Sequence, residues 1–245
     1  MGERLSVRKT TQKYMKKVDH KPSKRYLETK TLVEKNKVYS IVEAMELAKK
    51  TSTVKFDAGV EVHVKLGINP KKTDQQVRAS VSLPNGTGKT IKIAVVSTIG
   101  DQIKAAKEAG ADIAGDQDLI AEIKDGKVNF DVLVATPEAM KLLAPIAKVL
   151  GPKGLMPNPK DGTVAANTAE AVKSLKKGKI SYKNDDSSNV HVMIGRTSFE
   201  TDKLVENFKA FMDSIQKAKP TAAKGAFIKS VSIATTMGPG MKVSF

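Results

Sequence analysis

Gly86-Thr87-Gly88-Lys89-Thr90 is the segment whose residue types most suggest catalysis, because a glycine-rich loop ending in Gly-Lys-Thr can cradle a nucleotide phosphate. Two requirements of that chemistry are missing. The loop needs a glycine where Leu83 stands, and it must open a helix whose first N–H groups point at the phosphate. Here β-branched Thr90-Ile91-Lys92-Ile93-Ala94-Val95-Val96 follows, which reads as a strand. The favoured reading is therefore a glycine-rich turn between Ser80–Leu83 and Ile91–Ser97, with a nucleotide-dependent enzyme using Gly86–Thr90 as the alternative. With no cysteine there is no thiol nucleophile, disulfide or zinc-thiolate site, and His20, His63 and His191 are scattered along the chain. No catalytic triad, metal-ligand spacing or dinucleotide fingerprint occurs, so no enzyme activity, cofactor or metal is expected.

The remaining polar clusters suit binding. Lys55-Phe56-Asp57 leads into Glu61, His63 and Lys65 on one side of an alternating segment. Lysine there can neutralise a phosphate, and Glu61 can accept from a base amino group or a ribose 2′-hydroxyl. Ser230 and Ser232 share one side of a later strand that runs into Thr235-Thr236-Met237-Gly238. Hydroxyls suit ribose and phosphate, and a glycine lets a nucleic-acid backbone come close. Tyr182-Lys183-Asn184-Asp185-Asp186 to His191 could form a polar hairpin that adds edge contacts. Each cluster also fits a plain solvated strand or turn, although an exposed Met237 does not.

Charge favours the binding reading. The 245 residues carry 42 Lys plus Arg against 26 Asp plus Glu, a formal charge of +16, which a polyanion would neutralise. No apolar run is long enough to span a bilayer and the N-terminus lacks a signal-peptide core, so a soluble, cytoplasmic protein without a membrane partner is expected. The charge is uneven. Residues 84–160 hold 10 basic and 9 acidic side chains, whereas 1–83 hold 19 against 9 and 161–245 hold 13 against 8. A nearly neutral middle thus separates two basic ends, and the expectation is that the two ends form one polyanion-binding unit.

Several elements must position these groups. Residues 1–37, with Lys13, Lys16, Lys17, Lys21, Lys24 and Arg25, read as an extended basic arm, ordered at most in part. Ser40-Ile41-Val42-Glu43 is a capping box opening a helix. Val60, Val62, Val64 and Leu66 alternate with polar residues as in a half-buried strand. The middle alternates strand and helix: Ile91–Ser97, Gln102–Ala109, Leu119–Lys124, Phe130–Ala135 and Pro137–Leu150. Its near-continuous apolar strands suit a parallel sheet covered on both faces. Gly151–Lys160 packs three prolines and two glycines into ten residues, a hinge or crossing. A helix from Asn167 to Lys177, strands at Ile180–Tyr182 and Val190–Ile194, a helix from Thr201 ending before Pro220, and a strand Phe227–Ala234 complete the chain.

Leu150-Gly151-Pro152-Lys153-Gly154-Leu155-Met156-Pro157-Asn158-Pro159-Lys160, Lys55-Phe56-Asp57, Leu66-Gly67-Ile68 with Lys71–Arg78, Leu83–Gly88 and Thr235–Gly238 together resemble the bacterial form of ribosomal large-subunit protein one, the stalk protein, over roughly 38–243. The resemblance implies an α/β fold in two domains: a discontinuous α+β domain from 38–83 and 161–245, and an inserted Rossmann-like three-layer domain at 84–160. Hinges are implied near 83–85 and 158–162, at Leu83, Pro84, Pro157, Asn158 and Pro159. The implied partners are the large-subunit rRNA of the mobile stalk, tRNA leaving the exit site, and the protein's own mRNA leader as target of repression, with no obligate oligomer. Carried over residue by residue, the rRNA contacts fall on Lys55, Phe56, Glu61, Lys65, Ser230, Thr235, Thr236, Met237 and Gly238, with His191 as a weaker member. Gly59 departs from the family's usual hydroxyl residue, and the basic arm is longer than usual.

If lysine contacts to phosphate carry the affinity, an RNA complex of this chain should weaken roughly ten-fold or more between low and moderate salt. Filter binding across a salt series measures this, and a flat profile would refute the charge argument.

Overall fold

The computed structural model describes residues 22–34, 36–124, 126 and 128–245. Its strands are β1 (Val38–Tyr39), β2 (Gly59–Leu66), β3 (Arg78–Ser82), β4 (Ile93–Val96), β5 (Ile113–Gly115), β6 (Val132–Ala135), β7 (Lys179–Lys183), β8 (Asn189–Arg196), β9 (Ile228–Thr235) and β10 (Met241–Val243). Its helices are α1 (Lys24–Thr31), α2 (Ile41–Thr51), α3 (Gly100–Glu108), α4 (Gln117–Lys124), α5 (Ala139–Leu143), α6 (Ala147–Leu150), α7 (Thr168–Lys176) and α8 (Thr201–Lys217).

The alternation in Gly59–Leu66 makes β2 an interior strand of a five-stranded sheet ordered β1-β10-β9-β2-β8. All neighbours are antiparallel except β1 with β10. Val60, Val62, Val64 and Leu66 point to one face, where they meet Val190, Val192, Ile194, Val231 and Ile233. Helices α2 and α8 cover that face. The Ser40 capping box is formed at both halves and starts α2, which contributes Ala44, Met45 and Ala48; α8 buries Leu204, Phe208, Phe211, Met212 and Ile215. Antiparallel β3 and β7 form a separate ribbon.

Parallel strands β5-β4-β6 form a third sheet, apolar on both faces as such sheets require. Ile93, Val95 and Val134 meet Ala106 of α3 and Ala171, Val172 and Leu175 of α7. Ala94, Val96, Leu133 and Ala135 meet Leu119 and Ile123 of α4 with Leu143, Ile146 and Leu150. The packing of this sheet runs past residue 161: Val164 bridges in parallel to Ala135, and α7 lies on the sheet beside α3. Charge alone gave no hint of this, because helix packing follows apolar spacing rather than charge.

Two other expectations change. The helix expected over Pro137–Leu150 is broken into α5, a 3-10 turn at Ala144–Ile146 and α6, because Pro145 cannot donate the helical hydrogen bond and crowds the preceding turn. The basic arm is not extended throughout: Lys24–Thr31 is a helix capped by the Ser23 hydroxyl, with Thr29 buried. Lys13, Lys16, Lys17, Lys21 and His20 lie outside the described residues.

The chain crosses between the five-stranded and three-stranded sheets near 83–92 and near 156–178, and the crossings are tied. Leu83 is buried and donates its N–H to the Gly178 carbonyl. Gly86 and Gly178 both have positive φ and touch, such that a Cβ on Gly178 would lie 2.5 Å from the Gly86 Cα. Arg78 grips buried Asp161 with two hydrogen bonds, one of 3.0 Å from Nε. Fully buried Asn207 of α8 accepts from Asn85 N–H at 3.1 Å and donates to the carbonyls of Gly86 and Ile194 at 2.9 and 2.7 Å.

Replacing Asn207 by leucine keeps the volume but strands those backbone groups. Asn207→Leu should destabilise the protein by about 1–3 kcal/mol in urea unfolding, and an unchanged midpoint would show that water satisfies them.

Candidate nucleic-acid interface

Residues that alternate with the core of the five-stranded sheet necessarily share its other face. Register aligns them in rows about 7 Å apart along the strands. Lys65 lies between Asn189 and Ser230; His63 lies between His191 and Ser232, with Lys242 opposite Ser232; Glu61 lies between Met193 and Ala234. The Lys65 ammonium donates to the Ser187 carbonyl, which holds it over the β8 edge. Lys55 and Phe56 enter β2 at the end of the sheet where β9 leaves it, and both are exposed.

That end is locked by the turn Thr235-Thr236-Met237-Gly238. Gly238 N–H donates to the Thr235 carbonyl at 2.8 Å, and Met237 adopts a left-handed φ of 67°. A non-glycine residue there is strained by about 1 kcal/mol or more, yet its side chain is 65% exposed and gains nothing from packing. Phe56 is 55% exposed near the same end. Two exposed apolar side chains in a field of lysine and hydroxyl groups suit a base or ribose on one side and phosphates on the other. A Cβ on Gly238 would lie 2.2 Å from Thr235 Oγ1, so only glycine closes this turn.

The structure thus brings Lys55, Phe56, Glu61, Lys65, His191, Ser230, Thr236, Met237 and Gly238 onto one face and one end of the sheet. Thr235 is the exception. It is 4% exposed on the core side, its hydroxyl unpartnered beneath Gly238, so its side chain supports the turn and cannot reach a ligand. Thr236 is less free than its position suggests, because its hydroxyl accepts the Gly59 N–H at 3.1 Å while its own N–H donates to the Gly59 carbonyl at 2.9 Å. The space beside Gly59 is filled by Met193, whose Sδ lies 2.8 Å from where a Cβ would stand.

Two of the histidines that look scattered, His63 and His191, are paired. Nδ1 of His63 and Nδ1 of His191 are 2.8 Å apart. A contact that short needs one hydrogen between the rings, so one ring donates and the other accepts. Carboxylates bracket the pair, Glu61 at 4.0 Å from His63 Nε2 and Asp185 at 3.5 Å from His191 Nε2. Asp185 is held below the ordinary carboxylate range, chiefly by the Asn189 backbone N–H. A second proton would set two N–H groups face to face. Burial first, and then repulsion from His191, lower the His63 pKa below its ordinary 6.5, against the pull of Glu61.

The Gly86–Thr90 loop offers no phosphate cradle. No helix follows it, and the Lys89 ammonium is paired to Asp131 at 3.0 Å. Among the described residues no three His, Asp or Glu side chains cluster for a metal, and no helix is long and apolar enough to cross a membrane. Three members of the face carried no sequence signal. Lys242 sits on a three-residue strand too short to show a period, and Asn189 and Met193 become neighbours of Lys65 and Glu61 only through register.

Because the folded state binds fewer protons at His63 than the unfolded chain does, its contribution to stability is present above about pH 6.5 and is lost as pH falls below it. The urea midpoint of the protein should therefore drop more between pH 7.5 and 5.5 than that of His63→Gln. Parallel pH profiles for the two proteins would rule out the pair as the cause.

A family model described as the ribosomal protein L1p/L10e family matches residues 48–239. The matched stretch begins within α2 and runs through β9 and the Met237 turn, so it contains every interface residue named above except Lys242. Such a protein is a structural, rRNA-binding constituent of the large ribosomal subunit, cytoplasmic and ribosome-associated, and not an enzyme. With more than three quarters of its length in that match, this chain belongs to the ribosomal protein L1p/L10e family.

Proposed function

We propose that the open face of the five-stranded sheet binds the rRNA of the mobile large-subunit stalk beside the tRNA exit site. The observation that carries this reading is the Met237 turn, a strained backbone presenting an exposed apolar side chain at the end of the sheet where Phe56 and Lys55 are also exposed. The lysines supply salt-dependent affinity. Glu61, Ser230, Ser232 and main-chain groups near Gly238 read the shape and 2′-hydroxyls of a folded RNA.

The same face serves a second RNA in this reading: an rRNA-like site in the protein's own mRNA leader, through which the protein represses its translation. The stalk position also brings the protein against tRNA leaving the exit site, whose release it assists. The chain divides into an RNA-binding part built from both basic ends and an inserted part carrying the parallel sheet. In this reading Leu83, Pro84, Pro157, Asn158 and Pro159 form the hinge, and opening it releases the contacts that tie the crossings, Leu83 to Gly178 and Arg78 to Asp161 among them. Support comes from the separate apolar clusters, from the neutral charge of the middle, and from the family membership.

Met237→Gly tests the site with effects of opposite sign. Glycine relieves the left-handed strain, so folding stability should hold or rise by up to about 1 kcal/mol. Loss of the exposed side chain should weaken binding to a transcript of the stalk rRNA by about 1–3 kcal/mol. Urea unfolding and filter binding give the two numbers, and undiminished RNA affinity would place the site elsewhere.

A further inference from the structure

Arg25 lies in the first turn of α1, ahead of the stretch matched by the family model. Its side chain nevertheless reaches the end of the sheet where Phe56 and Met237 stand. Nη1 donates to Thr53 Oγ1 at 3.2 Å, two residues before Lys55, and Nη2 donates to the Met237 carbonyl at 3.3 Å. One planar group therefore spans the segment entering β2 and the turn leaving β9. It holds the carbonyl of the very residue whose backbone is strained.

A guanidinium has five N–H donors in a rigid fork. Two are used here, leaving Nε and one hydrogen on each terminal nitrogen. No carboxylate among the described residues lies within ion-pair distance of Arg25. An arginine whose partners among the described residues are two neutral acceptors is suited to a phosphate with several acceptor oxygens.

We propose that Arg25 is a further RNA-contacting residue: it clamps the Thr53–Phe56 segment to the Met237 turn and gives its remaining donors to a backbone phosphate. This rests on the open face being the rRNA site. It also gives α1 a role, since the helix delivers the guanidinium to the end of the sheet.

The test uses the full chain, a transcript of the stalk rRNA and an unrelated hairpin of equal length, with affinities measured across a salt series. Arg25→Ala should bind the stalk transcript roughly ten-fold or more weakly, and its plot of log affinity against log salt should flatten by about one phosphate contact. Arg25→Lys should keep the slope, because an ammonium still neutralises the phosphate. It should recover only part of the affinity, because one ammonium cannot span Thr53 and Met237 as a fork does. Equal affinity of wild type and Arg25→Ala would overturn the proposal, and so would a loss of affinity with no change in slope, since a purely structural clamp predicts that. Failure of the wild type to prefer the stalk transcript over the hairpin would instead reject the rRNA reading itself.

Discussion

The backbone hydrogen bonds between β2 and β9 are the constraint on which the rest of the molecule depends. They set Gly59 against the Thr235–Thr236 end of β9 and Leu66 against Ile228, so two segments remote in the chain share one sheet and one end. Every named interface residue apart from Arg25 on α1 and those on β8 and β10 lies on these two strands or in the segments continuing from them. Because side chains alternate with a period of two, a slip of one residue would turn the valines outward and bury Glu61, His63 and Lys65. The strongly apolar inner face forbids that slip, and the core thereby fixes which polar groups face a partner.

The two faces of this sheet obey different rules. Inside, Val, Ile, Leu, Phe and Met fill a continuous cluster, where swaps that keep volume are tolerated best. Outside, arrangements appear that stability alone would not select: two imidazoles pressed together between carboxylates, a methionine in a left-handed backbone, a phenylalanine in water. Local cost without local benefit is what a surface shaped by a partner looks like. Thr235 and Gly238 show how the two regimes meet, since a buried hydroxyl and an absent Cβ are needed to close the turn that exposes Met237.

Much of this was legible in the sequence because it depends on short-range periodicity. The Ser40 cap, the alternation in β2, the apolar stripe of α8 and the continuous apolar strands of the middle all appear where local pattern places them. The parity that sends Ser230 and Ser232 outward also sends Thr235 inward, so its burial was readable and was overridden by its membership of the Thr235–Gly238 run. Pro145 likewise announced the break in its helix. The rest is a product of distance along the chain. His63 and His191 are 128 residues apart, and no local pattern connects them. β1 and β10 are too short for a period, and the role of Asn207 appears only once the Asn85–Gly86 turn is laid against α8.

The separation that hides these contacts also orders events in time. A ribosome adding about 5–20 residues per second completes Gly59 on the order of ten to forty seconds before Thr236, its partner 177 residues later. The parallel sheet and its helices need no residue beyond α7 and can close while β2 still waits with its valines uncovered. The polar face is therefore assembled last in each nascent chain, and it presents no complete surface until β9 has left the tunnel. Newly made protein therefore completes this face in a single late step.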